Sequence, residues 1–315
     1  MRPWSRLRRR CGSFLALMLM AASAIAQPNL EQRMGRTVAD TGATGWRFER
    51  FALASSDGQR YRLQLAIPQR AAPAQGFAAV WMLDGNAALM ETDAVLLESL
   101  RTAPHPPVLI YVAHDNDLRV DAAARAFDYT PRRTGGDEAQ RDPMGRRGGG
   151  ADAFLDLLTG QAREQVARHV SIDPSQHAIW GHSYGGLFVL HAWLTRPQSY
   201  RFYAAIDPSL WWGNGHLLKE AERTPQAHDA TLWFMAGEGT APPKERAMRD
   251  RAAVDRMQKA RASVPPDVAR TLIERERAHG LDATYFALPG LGHGQTLGAS
   301  LPKVLRHLSG LSAAP

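Results

Sequence analysis

The chain has 315 residues, with 38 lysines and arginines against 31 acids, a net charge of +7 and one cysteine. Five of those arginines (Arg2, Arg6, Arg8, Arg9, Arg10), no acids and Cys11 all fall in the first 26 residues. If that segment is removed, the rest carries +2, which is no argument for nucleic-acid binding, and it has no thiol for a disulfide or a cysteine metal site. Removal is expected. The arginines form a basic head, Phe14 to Ala22 is apolar but too short for a bilayer, and Ala24-Ile25-Ala26 offers small residues for cleavage. The reading is a secretory signal over 1–26, export to an oxidising compartment, and one α/β domain over 27–315.

Trp46 to Leu53 and Tyr61 to Ile67 alternate around Ser-Ser-Asp-Gly and predict an antiparallel hairpin at a sheet edge. Phe77 to Leu83 and Val108 to Val112 are nearly continuous apolar runs, as central parallel strands require, with a helix between them over Ala87 to Leu100. Val120 to Gly150 is rich in Arg, Gly and Asp and has little apolar periodicity, so it reads as a long functional or mobile loop. Beyond it come a helix (Ala151 to Val170), a strand (His177 to Gly181), a helix (Gly185 to Leu194) and three strands (Phe202 to Ile206, Thr231 to Ala236, Thr284 to Leu288). Pro243 to Gly280 is charged and helical with a break at Pro265-Pro266, and a last helix spans Leu297 to Leu311. Strands alternating with helices predict a mostly parallel sheet covered on both faces, with reacting groups at the strands' carboxyl ends.

Gly181-His182-Ser183-Tyr184-Gly185 sits between such a strand and such a helix. G-x-S-x-G in that context describes a nucleophile elbow, whose small flanking residues let strand and helix approach. A serine hydroxyl needs a base, and His293, in Pro289-Gly-Leu-Gly-His-Gly294 after the last strand, stands where that base belongs. The orienting acid is expected to be Glu238, after the Thr231 strand. Asp207, after the Phe202 strand, is the rival, and a dyad with no carboxylate is the third option. The Tyr184 N–H and an N–H of Gly85 or Asn86 are the expected oxyanion donors, although Asp84 and Asn86 also suit an ordinary turn. His182 is expected to pack or cap locally. No histidine pair has metal-ligand spacing, so no protein-bound metal and no cofactor are expected.

"WMLDGNA", "RAFDYTP", "RRGGGADAF", "WGHSYGGLFVLHAWL", "DPSLWW" and "PGLGHG" follow one another in this order over roughly residues 45 to 310. Together they resemble the periplasmic siderophore esterases of the putative-esterase branch of the α/β-hydrolases, which open enterobactin-type trilactones. The resemblance implies the α/β-hydrolase fold, Ser183 as nucleophile and His293 as base. It implies that Arg125, with Tyr129 in the same element, faces the siderophore. Asp207 stands where other members carry a serine.

A ferric tris-catecholate is a trianion, and the arginines of the 120–150 segment could meet it, although acids interleave them. Trp211 and Trp212 offer ring contacts or core packing. The expected partner is thus a small ester, a catecholate siderophore free or ferric. The alternatives are an esterase of feruloyl-type or polysaccharide acyl esters, a siderophore-binding protein with little turnover, and an acyltransferase.

Overall fold

The computed structural model describes residues 31–222, 227–239 and 251–311; the expected leader, 1–26, lies outside the described residues. Eight strands form one sheet: β1 Trp46–Ala54, β2 Arg60–Pro68, β3 Phe77–Met82, β4 Val108–His114, β5 Ile172–His182, β6 Phe202–Ile206, β7 Thr231–Gly237 and β8 Asp282–Leu288. Their order is β1-β2-β4-β3-β5-β6-β7-β8. β1 pairs antiparallel with β2, and β2 antiparallel with β4. Every other neighbour pair is parallel.

β4 and β6 are buried at every position, so their sequences run apolar without alternation, as covered parallel strands must. One core face packs Trp81, Phe188 and Tyr203, and the other packs Met82, Trp180 and Trp233. The helix Tyr184–Thr195 is buried through its first ten residues and is apolar all round, because it lies against β5 and β6 under further helices.

Two expected elements differ in detail, and a third does not. Ala87 to Leu100 is two helices, Gly85–Met90 and Ala94–Arg101, because the Asp93 side chain caps the second by accepting from Leu96 N–H at 2.7 Å. Ala151 to Val170 winds through a π-turn at Leu158–Ala162. Pro243 to Gly280 is broken as expected, with helices Arg251–Ala262 and Val268–Ala278; residues 240–250 lie outside the described residues.

Residues 120–150 are not a structureless loop. They hold a helix, Ala122–Asp128, and a 3₁₀ turn, Asp137–Gln140. Polar side chains order the rest. Gln140 bonds both the N–H and the carbonyl of Arg133. Buried Asp142 accepts from the Met144 and Arg146 N–H groups, from Arg146 Nε and from Tyr184 Oη.

Candidate active site

β5 and β6 run parallel with His182 opposite Ile206. The residues that follow, Ser183 and Asp207, therefore leave the sheet side by side. Both carry positive φ, 62° and 45°, as does Asp84 (49°) at the end of β3. Side-chain-bearing residues seldom hold that conformation, and here three of them converge at adjacent strand ends. The elbow is closed by small residues: a Cβ on Gly181 would lie 2.4 Å from the Gly185 carbonyl oxygen. Ser183 N–H donates to the Ile206 carbonyl at 2.9 Å, and its own carbonyl accepts from Ser209 N–H at 3.1 Å.

Ser183 Oγ lies 3.1 Å from His293 Nε2, within reach of proton transfer. His293 comes from the loop between β8 and the last helix, Thr296–Leu308, and its side chain is 47% exposed. Two buried side chains hold its backbone. His182 Nε2 stands 2.8 Å from the His293 carbonyl, and Thr296 Oγ1 donates to the same oxygen at 2.8 Å. Burial, then the charge of His293, holds the His182 imidazole well below its usual range, so it is neutral. With Nε2 facing a carbonyl, the proton sits there.

The carboxylate at His293 is Asp207, with Oδ2 3.4 Å from Nδ1 and 3.1 Å from Thr296 Oγ1, whose single proton is shared between this carboxylate and the His293 carbonyl. This corrects the expectation of Glu238. β7 stands one strand beyond β6, and Glu238 ion-pairs there with Arg270. Among the described residues, His182, Asp207 and His293 are a group close enough to hold a metal ion, with ligand atoms within 4.8 Å of one another. The proton on His182 Nε2 already points to a carbonyl, so this nitrogen is not presented as a ligand.

A further residue reaches the nucleophile. Ser209, 1% exposed, places Oγ 3.2 Å from Ser183 Oγ. The signal for it was Asp-Pro-Ser directly after β6, once β6 is known to lie beside β5.

Tyr184 and Gly85 each open a helix, so their N–H groups have no partner within it. The Asn86 side chain is committed elsewhere: its amide donates to the Asn116 and Leu118 carbonyls and accepts from Arg62. Arg125 does not present itself to a ligand. It is buried, its guanidinium forks onto Asp84 at 2.9 and 2.8 Å, and it donates to the His182 carbonyl at 3.1 Å. Tyr129 is buried beneath it and accepts from Asp84 N–H at 3.1 Å. Trp212 is core, at 1% exposure, whereas Trp211 is partly exposed and packs on Tyr184 with ring centroids 5.5 Å apart. The expectation that Arg125, Tyr129 and Trp212 contact substrate is therefore corrected, because all three are turned into the protein. Arg125 instead ties the loop after β3 to the end of β5.

A strained serine, an imidazole and a carboxylate at strand ends suit acyl transfer. Residues 54–264 match the family model described as "Putative esterase". The chain belongs to the putative-esterase family. One similar member is the apo-salmochelin esterase of Escherichia coli O6:H1, 32% identical over 94% of this chain and 89% of that one. Another is the ferri-bacillibactin esterase BesA of Bacillus subtilis, 26% identical over 80% of this chain and 85% of that one. Among solved structures, an enterobactin hydrolase, IroE, in complex with DFP superposes with a TM-score of 0.68 at 30% identity, covering 87% of this chain and 99% of that one. The siderophore hydrolase EstA from Aspergillus nidulans gives 0.65 at 27% identity, covering 84% and 95%. The fold is that of the α/β-hydrolases, and the family member described here is a carboxylic-ester hydrolase.

Proposed function

We propose that this esterase hydrolyses catecholate siderophore trilactones through Ser183 and His293. The observation that carries the chemistry is the 3.1 Å contact between Ser183 Oγ and His293 Nε2 on a strained elbow. The names of similar proteins (salmochelin, enterobactin and bacillibactin esterases) support the substrate class.

His293 Nε2 takes the Ser183 proton as Oγ attacks an ester carbonyl. The Tyr184 and Gly85 amides hold the oxyanion, and Asp207 steadies the imidazolium. The intermediate collapses, the ester C–O bond breaks, and the leaving alkoxide takes the proton from His293. Water, deprotonated by the same imidazole, then attacks the acyl-enzyme. The acid leaves and Ser183 regains its proton. Each turn converts one ring ester to an acid and an alcohol, which lowers the denticity of a bound siderophore. Iron, where present, arrives with the substrate.

Export to the periplasm is part of this reading and rests on the basic, then apolar, then small-residue pattern of 1–26. Among the described residues, no helix is long and apolar enough to cross a membrane. The test is mass-resolved product analysis of the chain from residue 27 with an iron-free catechol trilactone, beside Ser183→Ala. Linear trimers, dimers or monomers that vanish in the variant are expected. An intact trilactone alongside hydrolysis of 4-nitrophenyl acetate would keep the dyad and discard the siderophore.

A further inference from the structure

Gly85, whose amide is one of the two proposed oxyanion donors, lies flat on the backbone of β4. A Cβ there would stand 2.6 Å from the Tyr111 carbonyl carbon and from the Val112 nitrogen. The loop cannot sink further, so only lifting away from the sheet displaces the amide. Both neighbours are held against lifting. Asp84, before it, takes the Arg125 fork. Asn86, after it and 5% exposed, commits its side-chain amide to the turn that follows β4 and to β2. Nδ2 donates to the Asn116 carbonyl at 2.9 Å and to the Leu118 carbonyl at 2.7 Å, while Oδ1 accepts from Arg62 Nη2 at 3.0 Å. The two holds are joined. Asn116 Nδ2 donates to Asp121 Oδ2 at 2.8 Å, and Asp121 caps the helix that carries Arg125. N-terminal residues back the same turn, through the Arg33–Leu118 bridge and the Met34 N–H, which donates to the Asp117 carbonyl at 2.9 Å.

We infer that Asn86 is a positioning residue for the oxyanion donor: its side-chain amide, braced by Arg62, holds the Gly85 N–H at the height the reacting carbonyl requires. The inference rests on the Ser183 reading above and goes beyond it, since it holds for any ester that Ser183 attacks. Asn86 acts through Gly85 rather than on the reacting atoms. The side chain suits the task because one short planar group supplies two donors and an acceptor. Aspartate would set its oxygens against the Asn116 and Leu118 carbonyls, and leucine keeps the size with no polar atom. The position matters because an oxyanion donor works within a narrow range of distances, about 2.7–3.1 Å. A misplacement of about 1 Å costs about 10²-fold in rate.

The test compares 4-nitrophenyl acetate with its thiono analogue, in which sulfur replaces the carbonyl oxygen. Sulfur accepts hydrogen bonds weakly, so the thiono ester gains little from the donor pair. The ratio of kcat/KM for the two esters therefore reads the donors, and it does not depend on how much of a variant is folded. Asn86→Leu should lower kcat/KM for the acetate by about 10- to 100-fold and for the thiono ester by no more than about threefold. Arg62→Met leaves both Asn86 donor bonds in place and should lower the ratio by about threefold. An unmoved ratio in Asn86→Leu, or in Arg62→Met if the first variant does not fold, would overturn the inference whatever happens to the absolute rates. Cleavage of the acetate by Ser183→Ala at the wild-type rate is a different result: it would overturn the serine reading, and the inference with it.

Discussion

Asp207 Oδ2 approaches His293 Nδ1 to 3.4 Å from the end of the strand next to the nucleophile's own. The contact is long, and the imidazole it serves is half exposed. A buried, well-bonded triad acid is worth about 10⁴ in kcat; this one should be worth less. Asp207→Asn is expected to lower kcat on 4-nitrophenyl acetate by about 10- to 100-fold at pH 7, with KM little changed. A loss under twofold would make the site a plain Ser–His dyad.

Ser209 offers its buried hydroxyl to Ser183 Oγ at 3.2 Å. A hydroxyl removed from that position costs one neutral hydrogen bond, about 1 kcal/mol, or about fivefold. Ser209→Ala should lower kcat by that factor while KM and the melting temperature hold. Equal loss in both steady-state constants would point to packing instead.

Arg125 and Asp84 form a buried pair that also touches the His182 carbonyl. Truncating one partner strands the other charge in the interior, which costs about 3–5 kcal/mol. Arg125→Met should therefore lower stability in urea by that amount, and Asp84→Asn added to it should restore part. Lysine is no substitute, because a point charge cannot fork onto both carboxylate oxygens. If the double variant is no more stable than the single one, the pair is not the cause.

Gly181→Ala puts a methyl group 2.4 Å from the Gly185 carbonyl oxygen. Backbone on both sides leaves no flexible side chain to yield. The elbow should open, at a cost of about 1–3 kcal/mol, and labelling of Ser183 by an organophosphonate should slow at least tenfold relative to wild type. Unchanged labelling would mean the elbow tolerates the spread.

Two histidines are held neutral by the fold. Burial, then the charge of Arg163, pushes His177 down to about 3, and its Nδ1 accepts from Trp81 Nε1 at 3.0 Å. His182 is likewise depressed, chiefly by burial. Below about pH 6.5 the unfolded chain takes up these protons and the folded one does not, so stability falls as pH drops toward the folded values. Each contributes a slope of about 1.4 kcal/mol per pH unit. His191 works the other way. Burial opposes its charge, but the hydrogen bond to Asp152 at 2.9 Å and the nearby Glu220 carboxylate, 3.7 Å away, outweigh it and raise its pKa, so its contribution is present at low pH and lost on alkalinisation. Urea melts between pH 7 and pH 5 should lose stability steeply, and His177→Gln should lose it by about one proton less. Parallel slopes for both proteins would refute the assignment.

The strands and both reacting residues were legible because their signals are local. β4 and β6 announce themselves by unbroken apolar runs, Ser183 by its flanking glycines and His293 by its loop. The acid was not legible. Asp207 and Glu238 both follow strands, and only the pairing of β6 with β5, a contact between distant segments, sets Asp207 beside the serine. The order within 120–150 was invisible to apolar periodicity because buried Gln140 and Asp142 supply it through polar bonds. Arg125 and Tyr129 were expected at the ligand from the resemblance carried by "RAFDYTP", which says nothing of how deeply they lie. A cation and a phenol read as surface until the helix Ala122–Asp128 folds them under the loop after β3.

The half-open setting of His293 bears on the fate of the covalent intermediate. An imidazole with nearly half its side-chain surface in solvent lies open to bulk water, so an acyl-enzyme formed at Ser183 would have no dry chamber around it. On the esterase reading, hydrolysis of the acyl-enzyme is expected to exceed its capture by another alcohol. Fragments are then expected to leave after each turnover and to compete with intact substrate for re-entry. Partially opened products should accumulate early in a time course and disappear late.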